Sequence, residues 1–149
     1  SYQIKNNCDK DLLNPQHKIN KIFSDLSIKF YDLTNIFCED NENIAFLDLN
    51  PLRRGHTLIV PKLEVDNIFS LNENSYNSLF SFAKRVAINM KKKITCNRIG
   101  MSVVGLDVPH AHIHLIPINS FEDMNFKKSP LKLADEEMLN ICKLLKFTA

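Results

Sequence analysis

Between two prolines the chain reads Pro109-His110-Ala111-His112-Ile113-His114-Leu115-Ile116-Pro117. In an extended segment, side chains at i, i+2 and i+4 share one face. The pattern predicts a strand over 112–116, with up to three imidazoles side by side and Ile113 and Leu115 turned into a core. Pro109 keeps the chain extended on entry, and Pro117 is expected to end the strand, since it has no N–H to give a ladder. Three of the five histidines lie in this run, and a fourth, His56, directly follows Gly55. Solvated strand faces normally carry Lys, Glu and Thr, so a row of imidazoles marks chemistry rather than a wetted surface.

The rest of the pattern alternates helices with short strands. From Pro15 onward Ile19, Ile22, Phe23, Leu26 and Phe30 follow helical spacing, with Asn14-Pro15 as cap and first turn. Residues 35–39 are β-like and 40–43 form a turn. A strand over 44–49 closes at Asn50-Pro51, Arg53-Arg54-Gly55 turns the chain, and a strand over 56–60 ends at Pro61. A long amphipathic helix is predicted over 73–93, with the stripe Tyr76, Leu79, Phe80, Ala83, Val86, Ala87 and Met90 and with Asn72 as cap. Strands over 99–104 and 112–116 follow, then a helix over 135–146 carrying Met138, Ile141, Cys142 and Leu145. The fold class is α+β: an antiparallel β-sheet with the long helix and the C-terminal helix packed on it. Residues 1–14 form a polar N-terminal arm and 15–149 a single domain, as expected for 149 residues.

Composition narrows the function. With 19 Lys+Arg against 17 Asp+Glu the net charge is +2, too balanced for a dedicated nucleic-acid binder. Cys8, Cys38, Cys96 and Cys142 are far apart, which reads as reduced thiols, with neither a thiolate zinc site nor a redox pair. The polar start has no apolar signal core, and no run approaches the ~20 apolar residues that span a bilayer. A cytoplasmic protein with no membrane partner is expected. The pairs Arg53-Arg54 and Lys127-Lys128 read as solvated loop residues.

Two chemistries suit clustered imidazoles. Neutral rings can ligate a metal in a metal-dependent hydrolase, with His110, His112 and either His114 or His56 as ligands. Alternatively one ring is a nucleophile toward phosphorus while its neighbours donate hydrogen bonds to the anion. The alternation His-φ-His-φ-His-φ-φ, with φ apolar, resembles the signature of the histidine-triad nucleotide hydrolases and transferases. The segments Ala45-Phe46-Leu47-Asp48-Leu49-Asn50-Pro51 and Gly55-His56-Thr57-Leu58-Ile59-Val60-Pro61-Lys62 are similar to that family's earlier block. The likeness covers residues 19–117.

That resemblance implies an α+β homodimer binding a purine nucleoside monophosphate moiety and cleaving at its α-phosphate, with no metal or cofactor. Phosphoramidates, acyl-adenylates and dinucleoside polyphosphates are the implied substrates. By position, His112 is the nucleophile through Nε2, its Nδ1–H held by the carbonyl of His110. His114 and His56 line the phosphate oxygens and assist the leaving group, and His110 supports the cluster from behind. Asp48 takes the ribose hydroxyls, and Ile22, Phe23 and Leu49 sandwich the base. His114, where a transferase branch has Gln, is similar to the hydrolase branches. The segment before the triad departs from the family: Val104-Gly105-Leu106-Asp107-Val108-Pro109 has no Gln, and Asp107 stands near a phosphate-contacting position. A carboxylate about 5 Å from a phosphate charge is repelled by roughly 3 kcal/mol at an effective dielectric of 20. The leaving-group side is therefore where this chain is expected to differ. A nucleotide-binding protein without turnover is the remaining alternative.

Overall fold

The computed structural model describes residues 35–149. The arm over 1–14, the helix expected after Pro15 and the site candidates Ile22 and Phe23 lie outside the described residues. Five strands are described: β1 (Ile36–Glu39), β2 (Asn43–Leu47), β3 (Thr57–Pro61), β4 (Arg98–Ser102) and β5 (Ile113–Ile118). They form one antiparallel sheet in the order β1-β2-β3-β5-β4. Two helices follow the predicted places, α1 (Glu73–Lys93) and α2 (Asp135–Leu145).

Helix α1 starts where Asn72 accepts the backbone N–H of Ser75 at 2.8 Å, and Lys91, Lys92 and Lys93 occupy its last turn. Its buried stripe is Leu79, Phe82, Ala83, Val86 and Met90. Phe82 is absent from the predicted stripe, while Tyr76, Phe80 and Ala87 are only partly buried at its margin. Helical spacing permits steps of three and of four, and the sheet takes both Phe82 and Ala83 into the core after Leu79. Met138, Ile141, Cys142 and Leu145 of α2 are buried as predicted.

Strand parity divides the sheet into two faces. Ala45, Leu47, Ile59, Ile113 and Leu115 join the helices in the main core. Ile44, Phe46, Leu58 and Val60 make a second cluster on the opposite face. Each Val, Leu, Ile or Phe side chain among them contributes roughly 1.5–3 kcal/mol on full burial. The second face continues into Asp48, His56 and His114, which is how the fold gathers a polar site beside an apolar one.

Four local expectations are corrected. Pro117 does not end β5 but pairs with Ile99 inside it. Pairing with β3 stops at Thr57–Leu115, so the proline requires a partner along one edge only. His110, Ala111 and His112 precede β5, and the chain bends at Pro109 and His110, so the three imidazoles do not line one strand face. Val103 and Val104 leave the sheet after Ser102. Arg53 and Arg54 are not merely solvated: Arg53 pairs with Asp123 at 3.2 Å and Arg54 with Glu137. Among the described residues Cys38, Cys96 and Cys142 form no disulfide; burial pushes the Cys38 thiol up to about 11. Among the described residues no helix is long and apolar enough to cross a membrane.

Candidate active site

Register brings the distant residues together. The backbone N–H of Asp48 donates to the carbonyl of His56 at 2.9 Å, continuing the β2–β3 ladder so that the two stand opposite each other. Leu58 faces His114 across β3–β5, which puts His56 diagonal to His114. Their rings lie 5.2 Å apart, and the His112 and His114 rings lie 4.9 Å apart, edge to face. All four histidines of the predicted set are at most 9% exposed.

Hydrogen-bond partners assign a tautomer to each ring. The N–H of Leu52 donates to His56 Nδ1 at 3.0 Å. An N–H can only donate, so the His56 proton sits on Nε2. That nitrogen lies 2.9 Å from His114 Nδ1 and donates to it, leaving the His114 proton on Nε2 as a free donor. His112 donates from Nδ1 to the His110 carbonyl at 2.7 Å, so its Nε2 carries a lone pair. His110 donates from Nε2 to the Pro61 carbonyl at 2.9 Å, tying the run to the end of β3, and its buried Nδ1 has no partner among the described residues.

Burial dominates the electrostatics. It pushes His56 down to about 3, helped by His114 and His112, and His114 down to about 4, helped by His112. Both rings are therefore neutral at cellular pH. Burial also lifts Asp48 to about 6, against the pull of the Asn50 N–H. Asp48 Oδ2 is 3.5 Å from His56 Nε2, but that ring is neutral, so the contact is polar rather than an ion pair. Asp48, His56 and His114 each offer a ligand atom within 4.8 Å of the others, so the atoms gathered for a cation differ from the ligand set expected within the run. Leu49 is half-buried against the main core, and Asp107 is exposed.

Three features escaped the sequence reading. Phe126 packs edge to face on His114 with centroids 4.8 Å apart; its only local signal is an aromatic residue in a polar loop. Ser102 stands opposite His114 across β4–β5. A cavity of about 330 Å³ opens beside His112, between residues 66–69 and 103–105, two segments that nothing in their spacing joins.

The chain's residues 32–121 match the sequence model of the HIT domain. This chain belongs to the HIT family. Among its relatives, a HIT-like protein of Borreliella burgdorferi is 28% identical over 97 residues, covering 60% of this chain and 70% of that one. The bis(5'-nucleosyl)-tetraphosphatase (asymmetrical) of Schizosaccharomyces pombe is 27% identical over 94 residues, covering 60% of this chain and 52% of the enzyme. A HIT family protein of Bacillus anthracis superposes with TM-score 0.58 at 26% identity, covering 76% of this chain and 86% of that one. A Hit-like protein of Bartonella henselae superposes with TM-score 0.68 at 20% identity, over 85% and 92% of the two chains. The five-stranded antiparallel sheet with its two helices is thus the HIT fold.

Proposed function

We propose that this HIT-family chain is a hydrolase that binds a purine nucleoside monophosphate moiety and cleaves at its α-phosphate through a covalent nucleotidyl-histidine. The observation that carries this reading is the fixed tautomer of His112, whose Nδ1–H is held by the His110 carbonyl so that Nε2 presents a lone pair. Nε2 attacks phosphorus, the Nε2–P bond forms, and the leaving group departs with the electron pair of the broken bond. The His110 carbonyl steadies the ring as it becomes cationic. His114 donates its Nε2–H to a phosphate oxygen, and His56 acts through His114 by donating to its Nδ1. Water then attacks phosphorus, Nε2 leaves with its pair, and a nucleoside monophosphate is released. Asp48 accepts the two ribose hydroxyls, for which a carboxylate has an oxygen each, while Ile22, Phe23 and Leu49 flank the base. Phosphoramidates, acyl-adenylates and dinucleoside polyphosphates all present this α-phosphate, and the name of the fission-yeast relative supports the last class.

Intact-mass measurement during turnover tests the mechanism, with His114→Ala used to slow the second step. A nucleotidyl adduct is expected, absent in His112→Ala, whose turnover falls roughly a thousandfold or more. Full activity in His112→Ala with no adduct in any form rejects it. A second reading, a metal-dependent hydrolase, is favoured by the grouping of Asp48, His56 and His114. Activity lost on chelation and restored by a divalent ion would support that reading instead. A homodimer is part of the proposal, and β4 is an edge strand of the sheet among the described residues. Sedimentation at micromolar concentration checks this.

A further inference from the structure

Beyond β5 the chain turns back across the site. Asp123 pairs with Arg53 at 3.2 Å and Glu137 with Arg54, so the segment between them is tied at both ends to the turn joining β2 and β3. Between those anchors Phe126 lies edge to face on His114, and the backbone N–H of Leu131 donates to the carbonyl of Pro51 at 2.8 Å. Leu131 lies beyond residues 32–121, the stretch that matches the HIT domain. Its side chain is 41% exposed, so it contributes this bond rather than core packing.

The Pro51 carbonyl belongs to the same peptide group as the Leu52 N–H. No cis peptide occurs among the described residues, and in a planar trans peptide C=O and N–H point in opposite directions. Holding the carbonyl on Leu131 therefore aims the N–H, which donates to His56 Nδ1 at 3.0 Å. His56 Nε2–H is 2.9 Å from His114 Nδ1 and 3.5 Å from Asp48 Oδ2, so the ring is its nearer acceptor. All the bonds run one way: Leu131 to Pro51, Leu52 to His56, His56 to His114, with the His114 Nε2–H at the inner end. Pro51, His56 and His114 are buried, and along such a chain each donor polarises the next group.

We infer that the Leu131 N–H is the outer end of a hydrogen-bond chain that fixes the donor of His114, which makes Leu131 a positioning residue of the site. The inference rests on the α-phosphate reading for what His114 does and goes beyond it in what orients His114. Leu131 touches no substrate and acts by holding one peptide plane. While the Leu52 N–H is aimed at His56 Nδ1, no proton can sit on that nitrogen. If the plane turns, His56 can carry its proton on Nδ1 and present a bare Nε2. His114 can then donate from Nδ1 to His56, which leaves a lone pair on its own Nε2. A lone pair facing a phosphate oxygen repels it, so the reversed chain removes a donor from the site. The segment after β5 thus keeps the chain pointing inward.

An ester in place of the Leu131 amide, introduced as the α-hydroxy analogue of leucine, removes the N–H and keeps the side chain. Leu131→Pro, which also lacks the N–H, gives a second protein for the same two measurements. One is hydrolysis of adenosine 5'-phosphoramidate; the other is the 15N shifts of the imidazoles, which tell a protonated ring nitrogen from a bare one. Relative to wild type, kcat should fall at least fivefold with KM within twofold, because the loss falls on the transition state. His56 should pass from a single Nε2–H tautomer to a mixture of both. An ester at Leu52 cuts the chain one bond further in and should change both readouts at least as much. A purely structural bond would lower stability and leave the tautomer and the kcat-against-KM split in place. A folded Leu131 variant whose kcat falls less than fivefold, or whose His56 keeps one tautomer, overturns the inference, and a wild-type His112 adduct then leaves the proposed function standing. A wild type with neither turnover nor adduct rejects the proposed function, while the His56 tautomer still decides whether the chain exists.

Discussion

The chemistry at His112 depends on which nitrogen of each ring carries the proton, and backbone groups decide that for three rings and a neighbouring imidazole for the fourth. Leu52 N–H sets His56, His56 sets His114, and the carbonyls of His110 and Pro61 set His112 and His110. Neutrality of His114 is a matter of burial, and the ring of Phe126 covers part of it. Phe126→Ala lets water reach the imidazole and moves its pKa from about 4 upward toward 6.5. Titration of the His114 ring proton by NMR should register an increase of about one unit or more. An unmoved midpoint would show that the strands alone desolvate the ring. That the imidazoles at 110, 112 and 114 form a reactive cluster was legible in the sequence, because the alternation is local, whereas the choice of His112 as candidate nucleophile came from the family likeness. The partnership of His56 with His114, 58 residues apart, was legible only through a family likeness, because spacing along the chain says nothing about strand register.

At the scale of elements, the turn between β2 and β3 carries the tightest requirement. Gly55 sits at φ +85°, where a Cβ would also stand 2.5 Å from Ile94 Cδ1. The side chain of Ile94 can move, so the backbone conformation sets the cost, about 1–2 kcal/mol for a residue with a Cβ. Gly55→Ala should lower stability by that amount in urea denaturation, and since His56 follows directly, it should reduce turnover as well. A variant of unchanged stability would show that the turn can reform with negative φ. Helix α1 offers a complementary case. Asn72→Ala removes the acceptor for Ser75 N–H and should cost about 1 kcal/mol. Phe82→Ala opens the core between helix and sheet and should cost about 3–5 kcal/mol, read from the same denaturation curves. The bounds of α1 were readable from cap and periodicity. Its buried face was read only in part, because the facing strands take Phe82 inward beside Ala83.

For the whole molecule the buried site makes stability depend on pH. His56 and His114 have folded pKa values of about 3 and 4 against 6.5 unfolded. Between those limits the unfolded chain binds more protons, so acidification from pH 6.5 toward 4 destabilises the fold. Asp48 acts with the opposite sign, since its folded value of about 6 lies above the usual 3.8 and the native state gains a proton first. The two histidines outweigh the one carboxylate, so the urea midpoint should fall from pH 7 to pH 4.5, by a margin on the order of 2 kcal/mol. A midpoint that holds or rises would mean that the histidines open to water or that Asp48 dominates. Ion pairs brace the same region, with Arg53 on Asp123 and Arg54 on Glu137 linking the β2–β3 turn to the segment after β5 and to α2. The sequence by itself determined the α+β class, most of the elements and the imidazole run, because periods of 2 and 3.6 are written residue by residue. Only the tertiary structure decided that His110 turns to Pro61, that β5 runs through Pro117, that Asp48 faces His56, and that two unrelated segments enclose a cavity at His112. Those outcomes depend on strand register and on where backbone N–H and C=O groups point, which side-chain identities along the chain do not encode.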